Sequence, residues 1–375
     1  MKNRIIAVLL LLCAFAAPAF AEEMPQIEDV ACRSIRLRAA GDLMMHQIQL
    51  DQSDNGDGTY DFSPEYALVK DALSDADYTI ANLETTVGKN PIPYSGFPHF
   101  NAPEELLQAI RDAGVDFLTL ANNHMLDRYF DGMKLTVDCV EKYGFDHSGA
   151  YRTPEEAQET CVVDVNGFRL GFLCYTAHTN GLENWSDRKA TDFGMDYLAK
   201  ANIEDDVRAL KEDGAQAIIA IPHWGTEYRR SPDPEVRKYA QRMIAAGVDV
   251  ILGSHPHMVQ PVEWLTVETE TGSRTGLVAW SLGNFVDNMS MQYTDAGIIL
   301  DFTIVDRGDG SFRVTEAGYI PVYCWRRNDV IQAVCSGDYL DERPEGMGDA
   351  AYARMKESRR EIVSLIGDGF KLLDH

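Results

Sequence analysis

Carboxylates, amides and histidines recur in five short segments of this chain: Gly41-Asp42, Asn82-Leu83-Glu84, Asn122-Asn123-His124, His223-Trp224-Gly225 and Ser254-His255-Pro256-His257. In order they offer a carboxylate, a carboxylate, an amide with a histidine, a histidine, and a His-x-His pair. Such a set can surround two metal ions, and paired ions activate water for hydrolysis. His255 and His257 are informative because alternate residues of an extended segment face one side and can reach adjacent ions. Pro256 fixes the backbone between them, and Gly253-Ser254 lets it turn sharply. Glu84 ends an apolar run, where an ionised carboxylate is costly unless paired or coordinated. The Asn123 amide oxygen can ligate without adding charge, and His124 beside it can handle protons. Each residue taken alone would read equally well as a cap or a polar group at the core edge. All five segments together make chance the poorer explanation.

Each segment needs an element to carry it. Residues 35–40, 78–83, 115–121, 217–222 and 248–253 read as buried strands that end at or within the five segments, and 277–281 as a further strand. Helices are expected at 64–74, 103–113, 132–143, 203–212 and 234–246. For the second of these, Asn101 is the expected cap, Pro103 suits the first turn and Gly114 closes it. Residues 162–165 and 169–175 form a hairpin around Asn166-Gly167, a pair that favours positive φ. Strands alternating with helices give an α/β fold, with ligands at strand exits. The polar and aromatic stretch 180–200 is expected to run over the site, and 350–366 to form a helix docked on the domain.

The chain has 375 residues, 45% hydrophobic and 25% charged, which suits one large domain or one with a small addition. Its net charge of −25 argues against nucleic acid as a partner. Any anionic substrate must therefore be received by metal or by local arginines. Lys2 and Arg4 precede an apolar run at 5–17, and Ala19-Phe20-Ala21 offers a cleavage site, so residues 1–21 read as a signal peptide. An uncleaved N-terminal membrane anchor is the lesser alternative, because the run is short for a span. No apolar run of about 20 residues follows, so no transmembrane span is expected in the mature chain. The protein is thus expected outside the cytoplasm: secreted, periplasmic or on the cell surface. Loss of Cys13 with the leader leaves Cys32, Cys139, Cys161, Cys174, Cys324 and Cys335, an even set that allows disulfides. Cys324 and Cys335 are the expected first pair. No C-x-x-C spacing exists, which disfavours thiolate-bound zinc.

The ordered motifs resemble the CapA-like capsule-synthesis family (the poly-γ-glutamate capsule proteins), a branch of the calcineurin-like metallophosphatases. The matching stretches are 38–46, 60–87, 97–127 with Ala121-Asn122-Asn123-His124-Met125-Leu126-Asp127, and Pro222-His223-Trp224-Gly225-Thr226-Glu227-Tyr228. They continue through 253–263 and Ser281-Leu282-Gly283-Asn284-Phe285. The resemblance covers residues 35–305 and leaves 306–375 as a C-terminal extension with strand and helix packed on the domain. It implies a two-sheet sandwich flanked by helices, a four-layer αββα arrangement. By the same resemblance Asp42 and His257 hold one ion, Asn123, His223 and His255 hold the other, and Glu84 bridges them. His124 is the implied general acid. The superfamily's first motif is usually Asp-x-His, whereas Asp42 is followed by Leu43-Met44; His46, four residues on, is the candidate extra ligand. Glu84 stands where a bridging aspartate is common.

Those ligands imply hydrolysis of a phosphoester: two divalent ions about 3.5–4 Å apart activate water, and His124 protonates the leaving oxygen. Asp127, one turn on, would orient His124, although a helix N-terminus also favours a carboxylate there. Oxygen and nitrogen ligands without thiolates suit Mn, Fe or Zn. Arg128, Glu227, Tyr228 and Asn284 are the candidate substrate contacts, with Arg229 and Arg230 as further anion holders. The implied role is in synthesis of an anionic cell-surface polymer, poly-γ-glutamate, alongside membrane-bound capsule machinery. Two rivals share the same residues: a non-catalytic factor that binds the polymer's carboxylates during export, and a metal-dependent amide hydrolase acting on the polymer. Residues 51–62 imitate half a calcium loop, but the twelfth place is Phe62 rather than glutamate, so they read as a polar turn.

Overall fold

A computed structural model describes residues 33–89 and 93–375. The expected signal peptide at 1–21 and Cys32 lie outside the described residues. The chain begins one sheet with β1 (Arg33–Leu43), β2 (Tyr78–Leu83), β3 (Phe117–Thr119) and β4 (Asp146–Ser148), which run parallel to one another. It then builds a second sheet from β5 (Cys161–Val165), β6 (Phe168–Thr176), β7 (Ala217–His223), β8 (Val250–Leu252), β9 (Val262–Thr269) and β10 (Gly272–Ala279). Finally it returns to the first sheet with β11 (Asn284–Val286), β12 (Ala296–Asp306), β13 (Phe312–Arg326), β14 (Ile331–Cys335) and β15 (Lys371–Leu372). The first sheet has nine strands in the order β14-β13-β12-β1-β2-β3-β4, with β11 on β1 and β15 on β13. The second has six, in the order β5-β6-β7-β8-β10-β9.

The eight α-helices are α1 (Gln47–Ser53), α2 (Ser63–Tyr66), α3 (Lys70–Ser74), α4 (Glu105–Asp112), α5 (Tyr129–Lys142), α6 (Ile203–Glu212), α7 (Pro234–Ala246) and α8 (Asp349–Ile366), counted among the described residues. Their placement explains why the central strands are apolar without alternation. In β7, Ile219 and Ile221 face the inter-sheet core with Leu37, Ile80 and Phe117. Ile218 and Ala220 face α6 and α7 through Val207, Leu210, Met243 and Ile244. A strand covered on both faces needs apolar residues at every position. On the outer face of the first sheet, Leu107 and Ile110 of α4 and Met133 and Val137 of α5 cover Leu83 and Leu118. The result is the expected two-sheet sandwich flanked by helices. Phe117 and Phe172 stack across the sandwich at 4.2 Å between ring centroids and join the two sheets. α8 places Met355 against Tyr323 and Trp325 of β13. Among the described residues no helix is long and apolar enough to cross a membrane.

Several local expectations are corrected. The helix expected at 64–74 is two short helices, because Leu68 between them pairs with Val334 and breaks the run. Asn101 does not cap α4, which starts at Glu105; its backbone is paired with Ser95 instead. Helix α5 begins at Tyr129, one turn before the expected 132. Cys324 and Cys335 are free thiols rather than a disulfide. They lie on adjacent antiparallel strands but out of register, with Cys324 opposite Ala333 and Cys335 opposite Val322. The Cys324 thiol instead donates to the Asp287 carbonyl at 3.1 Å. The hairpin at 161–176 forms as expected, with Asn166 and Gly167 at φ 53° and 82°.

Candidate metal centre

Parallel strands that end together bring the five segments to one place. β1, β2 and β3 of the first sheet and β6, β7 and β8 of the second run parallel to their neighbours, so each set discharges its loops at one end. Asp42 pairs with Asn82 on one side and Asn284 on the other. His223 bridges to Ser254 across the second sheet. Gly41 permits the closest approach: a Cβ there would lie 1.9 Å from the Gly283 carbonyl oxygen.

Asp42 and Glu84 are both fully buried, and each has one carboxylate oxygen, Oδ2 and Oε1, with no hydrogen-bond partner. Buried acceptors are almost always satisfied, so two adjacent orphans mark a place where something else belongs. Between them Asn82 donates to Asp42 Oδ1 at 2.7 Å and reaches Glu84 Oε2 at 3.4 Å. Asn122 in turn donates to Asn82 Oδ1 at 3.2 Å and to the Leu83 carbonyl at 2.8 Å, locking the amide's orientation. His257 Nδ1 lies 3.4 Å from Asp42 Oδ2, and its Nε2 lies 3.8 Å from Glu84 Oε1.

A second convergence adjoins the first. His223 Nε2 lies 2.8 Å from Asn123 Oδ1, 3.1 Å from His255 Nδ1 and 3.6 Å from Glu84 Oε1. Two ligands at right angles around an ion at ~2.1 Å sit about 3 Å apart, so these atoms are spaced as ligands of a common ion. The other ring nitrogen, His223 Nδ1, is held by Ser254 Oγ at 2.8 Å, which aims the ring. The ligand atoms of Asp42, Glu84 and His223 fall within 4.8 Å of one another, as do those of Glu227, His255 and His257. Glu84 therefore faces both convergences. The donor set fits divalent cations: three carboxylates, one amide oxygen and three imidazoles, with no thiolate.

Backbone strain accompanies the histidine pair. His255 and His257 adopt φ 97° and 56°, and Tyr228 adopts 62°. Such conformations cost of order 1–3 kcal/mol each in non-glycine residues and cluster at functional sites. The electrostatics follow from burial. Glu84 is pushed well above the usual carboxylate range by burial and then by Asp42. Burial, then the neighbouring imidazoles, hold His223 and His255 well below the usual histidine value, which favours the neutral form that ligates metal. His257 is buried too, yet Glu84 and Asp42 outweigh that and raise it to about 10.

At the rim, His124 Nδ1 lies 2.8 Å from Asp127 Oδ2, which also accepts the Phe100 backbone N–H at 2.7 Å. The Phe100 ring meets His124 edge-on at 4.6 Å and His46 at 5.3 Å. His46 caps the start of α1 with its backbone N–H on Gln49 Oε1. Burial, then His257 and His124, lower it to about 4, and its buried Nε2 has no partner, but it joins neither ligand group. Tyr228 lies 6.2 Å from His257, ring to ring, at the mouth. Two expected substrate contacts are already engaged within the protein. Asn284 is fully buried, faces His257 Nδ1 through Oδ1 at 3.0 Å and donates to the Thr294 carbonyl. Arg128 is tied to Ser95, to the His99 carbonyl at 2.7 Å and to the Asp127 carbonyl. Arg230 stacks on Tyr293 at 4.1 Å and donates to the Glu361 carbonyl.

Sequence reasoning gave Ser254 only a place in a turn and assigned nothing to Asn82, Asn122 or His178. An amide two residues before Glu84, in the mostly apolar β2, was the available signal for Asn82. His178 stands edge-on to His255 at 5.1 Å, and Asn180 beside it accepts from Asn123 at 3.3 Å, so the 180–200 excursion does start at the site.

The chain is similar to several known proteins. A capsule biosynthesis protein CapA from Bacillus anthracis is 29% identical over 242 residues, 63% of this chain and 56% of that protein. The chain thus matches little more than half of that relative's length. The PGA biosynthesis protein CapA of Bacillus subtilis is 26% identical over 298 residues, 78% of this chain and 74% of its own. Among solved structures, the calcineurin-like phosphoesterase YfkN from Bacillus subtilis aligns with a TM-score of 0.46 at 12% identity. That alignment covers 88% of this chain and 98% of that one. The family model described as bacterial capsule synthesis protein PGA_cap matches residues 36–289, a span that contains every residue of the cluster, and the chain belongs to that family.

Proposed function

We propose that this chain is an exported hydrolase that uses two divalent metal ions to cleave a phosphoester during synthesis of an anionic cell-surface polymer. The observation that carries this reading is the pair of adjoining ligand groups, with the orphaned oxygens of Asp42 and Glu84 between them. When bound, two divalent ions lower the pKa of a water and polarise a phosphoryl oxygen. The chain's own residues supply the rest. Asn82, Ser254 and Asn284 fix the orientation of Asp42, His223 and His257. His124 follows Asn123, whose Oδ1 lies 2.8 Å from His223 Nε2, which puts it at the edge of the same cluster. Asp127, as an acceptor, holds His124 by Nδ1 and leaves Nε2 to pass a proton to a leaving oxygen. Glu227 and Tyr228 stand at the mouth, where they can meet the substrate. The relatives' capsule and PGA names support an acidic polymer as the pathway's product.

The test is metal content per chain of the mature protein, grown with manganese, iron and zinc available, together with hydrolysis of a generic phosphodiester. About two ions per chain with turnover supports the reading. Substoichiometric metal without turnover would transfer the case to a polymer-binding factor. His124→Ala should abolish turnover while leaving metal content almost unchanged, and equal loss of both would contradict its acid role.

A further inference from the structure

We propose that Glu227 is a direct metal ligand beside His255 and His257. This rests on the two-ion reading above and changes the role of Glu227 from substrate contact to coordination. A ligand atom of Glu227 lies with those of His255 and His257 inside a 4.8 Å group, whereas His46 joins no such group among the described residues.

The loop after β7 is shaped to keep Glu227 there. Gly225 at φ 88° and Tyr228 at φ 62° bracket Thr226 and Glu227, turning the chain back toward the site. The Tyr228 N–H then donates to the Pro256 carbonyl at 2.9 Å, tying the loop to the residue between the two histidines. Glu227 is only partly buried, and one of its carboxylate oxygens lies within 4.8 Å of ring nitrogens of both His255 and His257, so it meets the cluster from its more exposed side. There it can ligate beside the two histidines and leave the outer face open to water and substrate.

A third carboxylate has a chemical consequence. With Asp42 and Glu84 it brings the protein charge around two divalent ions to −3, and it adds a hard oxygen donor. Hard donors favour manganese over zinc relative to an imidazole-rich shell. The site should therefore prefer Mn²⁺ more strongly than its three histidines alone would suggest.

The experiment is calorimetric titration of the chelator-treated full chain with Mn²⁺ and, separately, Zn²⁺, in the absence of any substrate, for the wild type, Glu227→Gln and Glu227→Asp. Loss of a partner that only orients a ligand already weakens metal affinity about 10–100-fold. Loss of a direct ligand should weaken Mn²⁺ binding at one of two sites by at least about 100-fold, with a smaller loss for Zn²⁺. Glu227→Asp, which keeps the carboxylate, should lose less than Glu227→Gln, and the melting temperature of both metal-free variants should match the wild type. Two ions in the wild type with unchanged affinity in Glu227→Gln would overturn this inference alone. No metal binding by the wild type would overturn the two-ion reading with it. Should Glu227→Gln not fold, Glu227→Asp decides the matter by the same comparison, with wild-type affinity counting against ligation.

Discussion

Replacing Glu84 by glutamine should make the metal-free protein more stable and the metal-loaded protein less so. In the metal-free state Glu84 is fully buried, its Oε1 has no partner, and the fully buried Asp42 stands beside it. A buried acceptor without a partner costs about 1–3 kcal/mol, more if charged. Burial and then Asp42 push Glu84 well above the usual carboxylate range, so at neutral pH folding must either bury its charge or take up a proton; glutamine keeps the shape and needs neither, so a gain of about 1–3 kcal/mol is expected in chelator. For a chain of this size that corresponds to a rise in melting temperature of roughly 1–4 °C. Metal reverses the order. An ion at a hundred times its dissociation constant stabilises the wild type by about 2.7 kcal/mol, and two ions by up to twice that. Without the bridging charge most of this gain should vanish. The assay is thermal unfolding of both proteins in EDTA and in excess Mn²⁺. A variant less stable than wild type in EDTA, or one that gains as much from Mn²⁺, would refute the placement of Glu84 between the ions.

Three further outcomes can be checked separately. Asp127→Asn should lower turnover by about 10²–10⁴-fold with metal content retained, because a neutral amide holds the His124 Nδ1–H more weakly than a carboxylate and does not stabilise charge on the ring. Phe172→Ala should cost about 3–5 kcal/mol in denaturant unfolding by removing the ring stacked on Phe117 between the sheets; a loss below 1 kcal/mol would show that this stack does not hold the sandwich. Glu65 is buried, with Gln49 as its hydrogen-bond partner, and burial raises it from 4.5 to about 8. Its folded form holds a proton that the unfolded chain releases. Wild-type stability from this group is therefore complete below pH ~4.5 and is lost as pH rises toward 8, a change of up to ~5 kcal/mol. Glu65→Gln should remove that slope, and a difference between the two proteins that is constant from pH 5 to 8.5 would count against it.

Much of this architecture could be read from residue order because its central strands are covered on both faces. In Ala217–His223 the apolar run is unbroken as far as Pro222, and the ligand His223 follows directly. The helices Ile203–Glu212 and Pro234–Ala246 were legible to the residue for a related reason: each carries one apolar face, and the second opens on Asp-Pro and closes on Gly247. Strands with one wet face were harder. β9 alternates buried and exposed positions along Val262–Thr269, a period-two signal diluted by Glu and Thr and visible only beside its hairpin partner. β12 was not expected, and the strand expected within 306–375 had no defined place, because β13 opens on the half-wet stretch Phe312–Ala317 before its buried run. At the site, ligand types were legible because few roles suit a carboxylate or histidine at a strand exit. Which amides and hydroxyls orient them was not, since Asn82 and Ser254 look ordinary until their partners, 40 and 31 residues away, come alongside.

The position of β1 bears on the order in which this molecule can assemble. Although first in the chain, it lies in the middle of its sheet, with Arg38 opposite Asp301 on one side and opposite Thr79 on the other. Half of its backbone hydrogen bonds must therefore wait for a strand more than 250 residues downstream, a non-local closure of the kind that slows folding. Asp42 sits at the end of that strand, and Asn284, which orients His257, arrives only with the return to the first sheet. A chain that stops short of β11 cannot present the complete cluster. Metal would then be captured only after the return to the first sheet has been made, and not while the leading strands emerge.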